Sequence, residues 1–172
     1  PPLPGTEVTI RDEQGGALPA GEIGEICARG PQVMRGYWRA PEEAAQAFFP
    51  GGWLRTGDLG RIDARGYVEF VERRKEVIVV SGFKAYPGEI EAVVLQHPGV
   101  KEAGVAGVPD PHSGEAVALY VVRKDPALDE AALLAHCAQQ LAPYKRPRQV
   151  FFRESLPKSP IGKVLRRQLR PD

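Results

Sequence analysis

The chain has 172 residues, room for one domain or two small ones, and its 23 Lys+Arg and 22 Asp+Glu leave a formal net charge of +1. Balanced charge excludes the global positive field of a nucleic-acid binder, and 42% hydrophobic residues exclude disorder throughout. No apolar run is long enough to span a bilayer, and two cysteines without a CxxC, Cys27 and Cys137, exclude a disulfide scaffold or a thiolate zinc site.

The first seventy or so residues read as β structure. Glu7–Arg11 alternates, with Val8 and Ile10 on one side, and ends in the turn-rich Asp12–Gly16. Gly24–Gly30 predicts a second strand bracketed by glycines. Pro41–Ala45 predicts the first turn of a short helix, with Pro at its start and acids near the positive end of the helix dipole. Tyr67–Glu72 alternates, and Gly60–Asp63 is expected to pair with it across Ala64-Arg65-Gly66.

Beyond five consecutive charges, Glu72-Arg73-Arg74-Lys75-Glu76, the texture changes. Val77–Val80 predicts a buried strand, and Pro87–Gln96 a helix stopped by His97-Pro98-Gly99. Val100–Val108 and Ala116–Arg123 predict two strands flanking the polar turn Asp110–Gly114. Asp129 is a helix N-cap for a segment with Leu133, Leu134, Cys137 and Leu141 at helical spacing. The fold class is therefore α+β: a small β-rich subdomain over residues 1–73, then a compact domain over 74–172 with a central sheet flanked by helices.

Three stretches carry more polar and glycine detail than packing requires. In Trp53-Leu54-Arg55-Thr56-Gly57-Asp58-Leu59-Gly60, an Asp in a glycine-flanked turn can accept two hydrogen bonds from a vicinal diol, as acids do for nucleotide ribose; taken alone, the stretch favours an ordinary Asx turn. In Ser81-Gly82-Phe83-Lys84-Ala85-Tyr86-Pro87, a glycine lets backbone approach a ligand just before a helix start. In Leu156–Lys163, two prolines and a glycine fix a loop with Lys163 at its tip, a point charge for phosphate or carboxylate oxygens or simply a solvated lysine. His97, His112 and His136 share no metal spacing. Glu89 and Glu91, two apart on a helix, diverge too far for an acid/base pair.

In order, these stretches resemble the distal part of an adenylate-forming enzyme, the superfamily of acyl-CoA synthetases, luciferases and nonribosomal adenylation domains. The likeness is carried by Gly24–Cys27 through Gly36-Tyr37-Trp38, Gly52–Asp58, Arg73–Ile78, Ser81-Gly82-Phe83 to Pro87–Glu91, Tyr144–Pro147 and Pro157–Lys163. Within the superfamily the chain is most similar to bacterial long-chain fatty acyl-CoA synthetases, on Gly30–Met34, Val79–Phe83, Ser113–Val117 and Leu165–Arg170.

That resemblance implies a two-step reaction, in which a fatty acid carboxylate attacks ATP to give acyl-adenylate and pyrophosphate, and coenzyme A then displaces AMP. It implies that Asp58 binds the ribose hydroxyls, that Arg73 lies near ribose and phosphates, and that Lys84 lies near the adenylate. Lys75 matches the hinge about which the C-terminal domain rotates between steps. Lys163 matches the catalytic lysine that contacts the reacting carboxylate and α-phosphate, and Ser81, Gly82 and Phe83 border the pantetheine tunnel. The Ser/Thr/Gly-rich phosphate loop and the Thr-Glu motif behind the Mg2+ contact are not in this sequence; the family has them upstream of this region. With its opening at Pro1, that leads us to expect a fragment, inactive alone, of a cytoplasmic enzyme, with peripheral contact to the inner membrane face left open by its fatty acid substrate. Two other readings stand beside it: an adenylation unit that loads a carrier protein, and a non-catalytic nucleotide-binding module.

Overall fold

Alternating side chains build the first sheet of the protein, a computed structural model that describes residues 2–171. Its strands are β1 (Glu7–Arg11), β2 (Gly24–Arg29), β3 (Phe48–Phe49), β4 (Trp53–Ile62) and β5 (Val68–Arg73), with the short helix α1 (Pro41–Gln46) before β3. All pairings are antiparallel, in the order β1-β2-β4-β3, with β5 also beside β4. The buried apolar cluster is small: Cys27, Phe49 and Trp53. Two guanidinium groups help to cover it, for Arg11 and Arg29 stack on the Trp53 ring at 4.3 and 4.4 Å from its centroid.

The second sheet is organised by β9 (Gly114–Arg123), whose residues 116–122 are all buried. An unbroken apolar run of this kind belongs to a strand covered on both faces. Val117, Leu119 and Val121 face Ile90 and Val94 of α2 (Pro87–Val94) and Leu133 and Cys137 of α3 (Glu130–Gln140). Ala118, Tyr120 and Val122 face Leu156 and Leu169 of the irregular C-terminal segment. Each Val, Leu or Ile among them contributes about 1.5–3 kcal/mol when fully removed from water. β8 (Val100–Asp110) is antiparallel to β9, and β10 (Gln149–Arg153) lies parallel to it with Phe151 opposite Tyr120. The hairpin of β6 (Ile78–Val80) and β7 (Phe83–Ala85) joins through Val80 opposite Gly114. Asp129 caps α3, its Oδ1 accepting from the Ala132 N–H at 2.8 Å.

The chain thus divides into two compact units, one ending at Lys75 and one starting at Glu76. Both are mixed α and β, the α+β class read from the sequence. Three details differ from that reading. Trp53–Gly60 is strand rather than turn, β7 occupies residues expected to be loop, and the β10 strand has no counterpart in the sequence analysis. Among the described residues no helix is long and apolar enough to cross a membrane.

Candidate functional site

In the first unit the structure brings Asp58 and Arg73 together. They face each other across β4 and β5, and Arg73 Nε lies 2.8 Å from Asp58 Oδ1. The contact is an ion pair without hydrogen-bond alignment, since that same oxygen has no hydrogen-bond partner. The carboxylate is about 29% exposed, so it remains open to a further donor. Asp58 sits in a strand, yet the local geometry is turn-like: its N–H donates to Thr56 Oγ1 at 3.1 Å, and the Thr56 hydroxyl donates to the Ile26 carbonyl at 2.7 Å. Arg73 lines an open groove of about 740 Å3 with Tyr37, Phe48, Thr56, Gly57 and Arg74.

A residue to which the sequence reading gave no role holds this region in place. Glu25 is only 5% exposed, and its carboxylate accepts from Arg55 (3.2 and 3.0 Å), from the Gly57 N–H (3.1 Å) and from Arg74 (3.1 Å). One buried acid therefore fixes the strand leading into Asp58 and the residue following Arg73. The signal was present in principle: period-two alternation puts Glu25 on the same strand face as buried Cys27, where a charge needs partners.

Lys75 is exposed within a single 3-10 turn, Arg74–Glu76, and has no hydrogen bond or ion pair among the described residues. Ser81 and Gly82 form the two-residue turn of the β6–β7 hairpin, with φ of 50° and 83°. Two successive left-handed residues define the turn type that matches strand twist, and glycine takes the second position without penalty. The sequence reading of a strand-to-helix loop is corrected here: β7 intervenes, too short at three residues to leave a periodic signal. Phe83 is 59% exposed and stacks on Tyr144, ring centroids 5.0 Å apart. Lys84 follows it on the same hairpin. Next to Tyr144, Lys145 binds Glu89 at 2.6 and 2.8 Å. Burial lowers the Lys145 pKa, but the bond and charge of Glu89 outweigh it and hold the ammonium above its ordinary value. Burial likewise pushes the Tyr86 hydroxyl up.

Lys163 stands on a separate hairpin of the second unit. The Gly162 N–H donates to the Ser159 carbonyl and the Ser159 N–H to the Lys163 carbonyl, both at 2.8 Å, so Pro160-Ile161-Gly162 is a three-residue loop. Gly162 at φ 82° supplies its left-handed position. The lysine side chain is exposed and carries no ion pair among the described residues. The hairpin is held from below by Arg166, which the sequence reading quoted without a role. Its Nε and Nη2 bind Glu91 at 2.9 and 2.7 Å, and its Nη1 binds Glu76 at 2.7 Å. Glu89 and Glu91 therefore point to different partners, Lys145 and Arg166. Among the described residues no group of three or more His, Cys, Asp and Glu is placed to hold a metal ion.

The chain belongs to the AMP-binding enzyme family. Residues 1–38 match the AMP-binding enzyme and residues 89–163 the AMP-binding enzyme C-terminal domain. Over 99% of its length the chain is 50% identical to the long-chain-fatty-acid–CoA ligase of Escherichia coli O6:H1. Over 96% it is 45% identical to the sulfoacetate–CoA ligase of Cupriavidus necator. It spans 30% and 33% of those relatives. ATP-bound MatB from Rhodopseudomonas palustris matches 97% of the chain, over 34% of its own, with 44% identity and a TM-score of 0.90. Apo MatB matches the same share with 44% identity and a TM-score of 0.65.

Proposed function

We propose that the chain is the distal part of an AMP-forming fatty acyl-CoA ligase and supplies nucleotide contacts, a pivot and a lysine for adenylation. The observation that carries this reading is the Asp58–Arg73 pair beside an open groove, in a chain half identical to such a ligase. In the first step a carboxylate oxygen bonds to the α-phosphorus of ATP as the bond to pyrophosphate breaks. In the second, the coenzyme A thiol gives up its proton, its sulfur bonds to the acyl carbon, and AMP leaves.

An ionised Asp58 has only acceptor oxygens, suited to both ribose hydroxyls, while Arg73 orients it and offers charge to the phosphates. Lys163, on a loop stiffened by Pro160, meets the negative charge that develops between carboxylate and α-phosphate. Ser81, Gly82 and Phe83 border the path of the pantetheine arm, and Lys84 lies toward the adenylate. Lys75 is the residue about which the second unit turns between steps, a role supported by its exposure in a single 3-10 turn at the boundary of the two units. Mg2+ would neutralise the departing pyrophosphate, and the family likeness assigns its ligands upstream of this stretch. Two buried free thiols, ATP and coenzyme A suit a cytoplasmic setting. Because a sulfoacetate ligase is nearly as similar, the acyl group is decided by comparing fatty acids with sulfoacetate as substrates of the full-length ligase.

Calorimetric titration of AMP into this chain tests the nucleotide site. Asp58→Ala removes charge-assisted hydrogen bonds worth roughly 1.5–3 kcal/mol, which predicts affinity about ten- to a hundredfold weaker. Equal affinity in the two proteins would remove Asp58 from the site.

A further inference from the structure

We infer that two ion-pair clamps confine the pivot to Lys75, Arg74 on Glu25 in the first unit and Glu76 on Arg166 in the second, and that the second clamp ties the Lys163 hairpin to the pivot. This rests on the hinge and adenylation roles proposed above and adds what limits the motion and what carries it.

Both anchors are themselves held by several partners. Glu25 is buried and shared among Arg55, the Gly57 N–H and Arg74. Arg166, 14% exposed at its side chain, makes a two-pronged bond to Glu91, and Glu91 Oε1 accepts in addition from the Val105 N–H of β8 at 2.9 Å. Paired in this way, each charge has a fixed geometry that a single exposed pair lacks. The residues on either side of Lys75 are thus each bound to the interior of a different unit, while Lys75 between them has no hydrogen bond or ion pair among the described residues. A rotation spread over residues 74–76 breaks at least one clamp; a change of φ and ψ at Lys75 breaks neither. Hinges that absorb large changes in a few dihedrals have this form.

Arg166 also links the moving parts. It follows Lys163 by three residues, behind a β-bridge between Lys158 and Val164 and a Leu165 N–H bond to the Pro157 carbonyl at 2.8 Å. Leu169 is buried just beyond it. Glu76 and the Lys163 hairpin therefore move as one body.

Backbone 15N relaxation of this chain reads the clamps without any catalysis. In the unaltered chain Arg74 and Glu76 should have order parameters near the ~0.85 of rigid backbone. Arg74→Gln, which leaves Glu25 its buried partners, should drop residue 74 toward the ~0.6 of flexible backbone, with Arg74→Lys restoring part of the loss. Glu76→Gln should loosen residue 76 alone, and Arg166→Lys should loosen both Glu76 and Lys163. Unchanged values at 74 and 76 in their variants would overturn the clamps, and an unchanged Lys163 in Arg166→Lys would overturn the link. In the full-length ligase, Glu76→Gln should slow thioester formation by about fivefold or more while leaving the ATP KM of adenylation unmoved. Relaxation that changes with kinetics that do not would leave the clamps standing and refute the hinge role of Lys75 instead.

Discussion

Replacing Glu25 by glutamine isolates the contribution of one buried charge to the first unit. The amide has nearly the same volume but a single acceptor oxygen, and its NH2 group turns a donor toward guanidinium donors. The carboxylate serves two arginines and the Gly57 N–H, so the variant loses at least one charge-assisted bond. Breaking a fully buried pair costs roughly 3–5 kcal/mol. Here the Arg55 and Arg74 side chains are 24% and 45% exposed, and water rescues part of their solvation. About 2–3 kcal/mol is the resulting expectation, from the loss of one or two charged hydrogen bonds. Trp38 and Trp53 are the only tryptophans and both precede Lys75, so tryptophan fluorescence follows the first unit selectively. With a urea m-value of about 1 kcal/mol/M for a unit this small, the midpoint should fall by about 2 M. A shift below about 0.5 M at the same m-value would mean that Glu25 does not organise the strand into Asp58.

Two further predictions concern ionisation. Asp110 is held down to about 2, first by the Ser113 hydroxyl, then by the Ser113 and His112 N–H groups and Arg148. A depressed acid stabilises the fold fully above its unfolded value near ~3.9 and loses that contribution as pH falls toward 2; a 13C-carboxyl titration should place it there and Ser113→Ala should raise it, whereas an ordinary value would contradict the turn geometry. Burial, with the neighbouring charge of Glu25, pushes the Cys27 thiol up to about 11, and burial also raises Cys137. Neither should react with a thiol reagent at pH 8 until the chain unfolds, and fast labelling of the native protein would show that these sites open locally.

Much of the fold was legible because its signals are local. Alternation located Glu7–Arg11 on its own, and an acid ahead of helical spacing located Asp129 as a cap. One cause of the failures is that strand and turn use the same residues when glycines intervene. Gly57 and Gly60 read as turn punctuation around Asp58, yet β4 runs through them with a register shift after Leu59. Gln149–Arg153 pairs in parallel with residues 31 positions earlier, a contact that no local pattern announces. The candidate site divides in the same way. Asp58, Arg73 and Lys163 stand out as residue types in recognisable runs, but Glu25 and Arg166 act through partners 30 to 90 residues distant. Alternation marks Glu25 as a charge on a buried face, but the partners of both anchors are visible only in the tertiary structure.

In the proposed reaction Lys163 serves adenylation and turns away for the thioester step. That role is tested most directly by measuring the two half-reactions separately in the full-length ligase carrying Lys163→Ala. Losing one preorganised charge at the reacting centre should slow fatty acid-dependent pyrophosphate exchange by about 10²–10³. Coenzyme A attack on supplied acyl-adenylate should proceed at close to the unaltered rate. Equal losses in both half-reactions, or a loss in neither, would contradict the account.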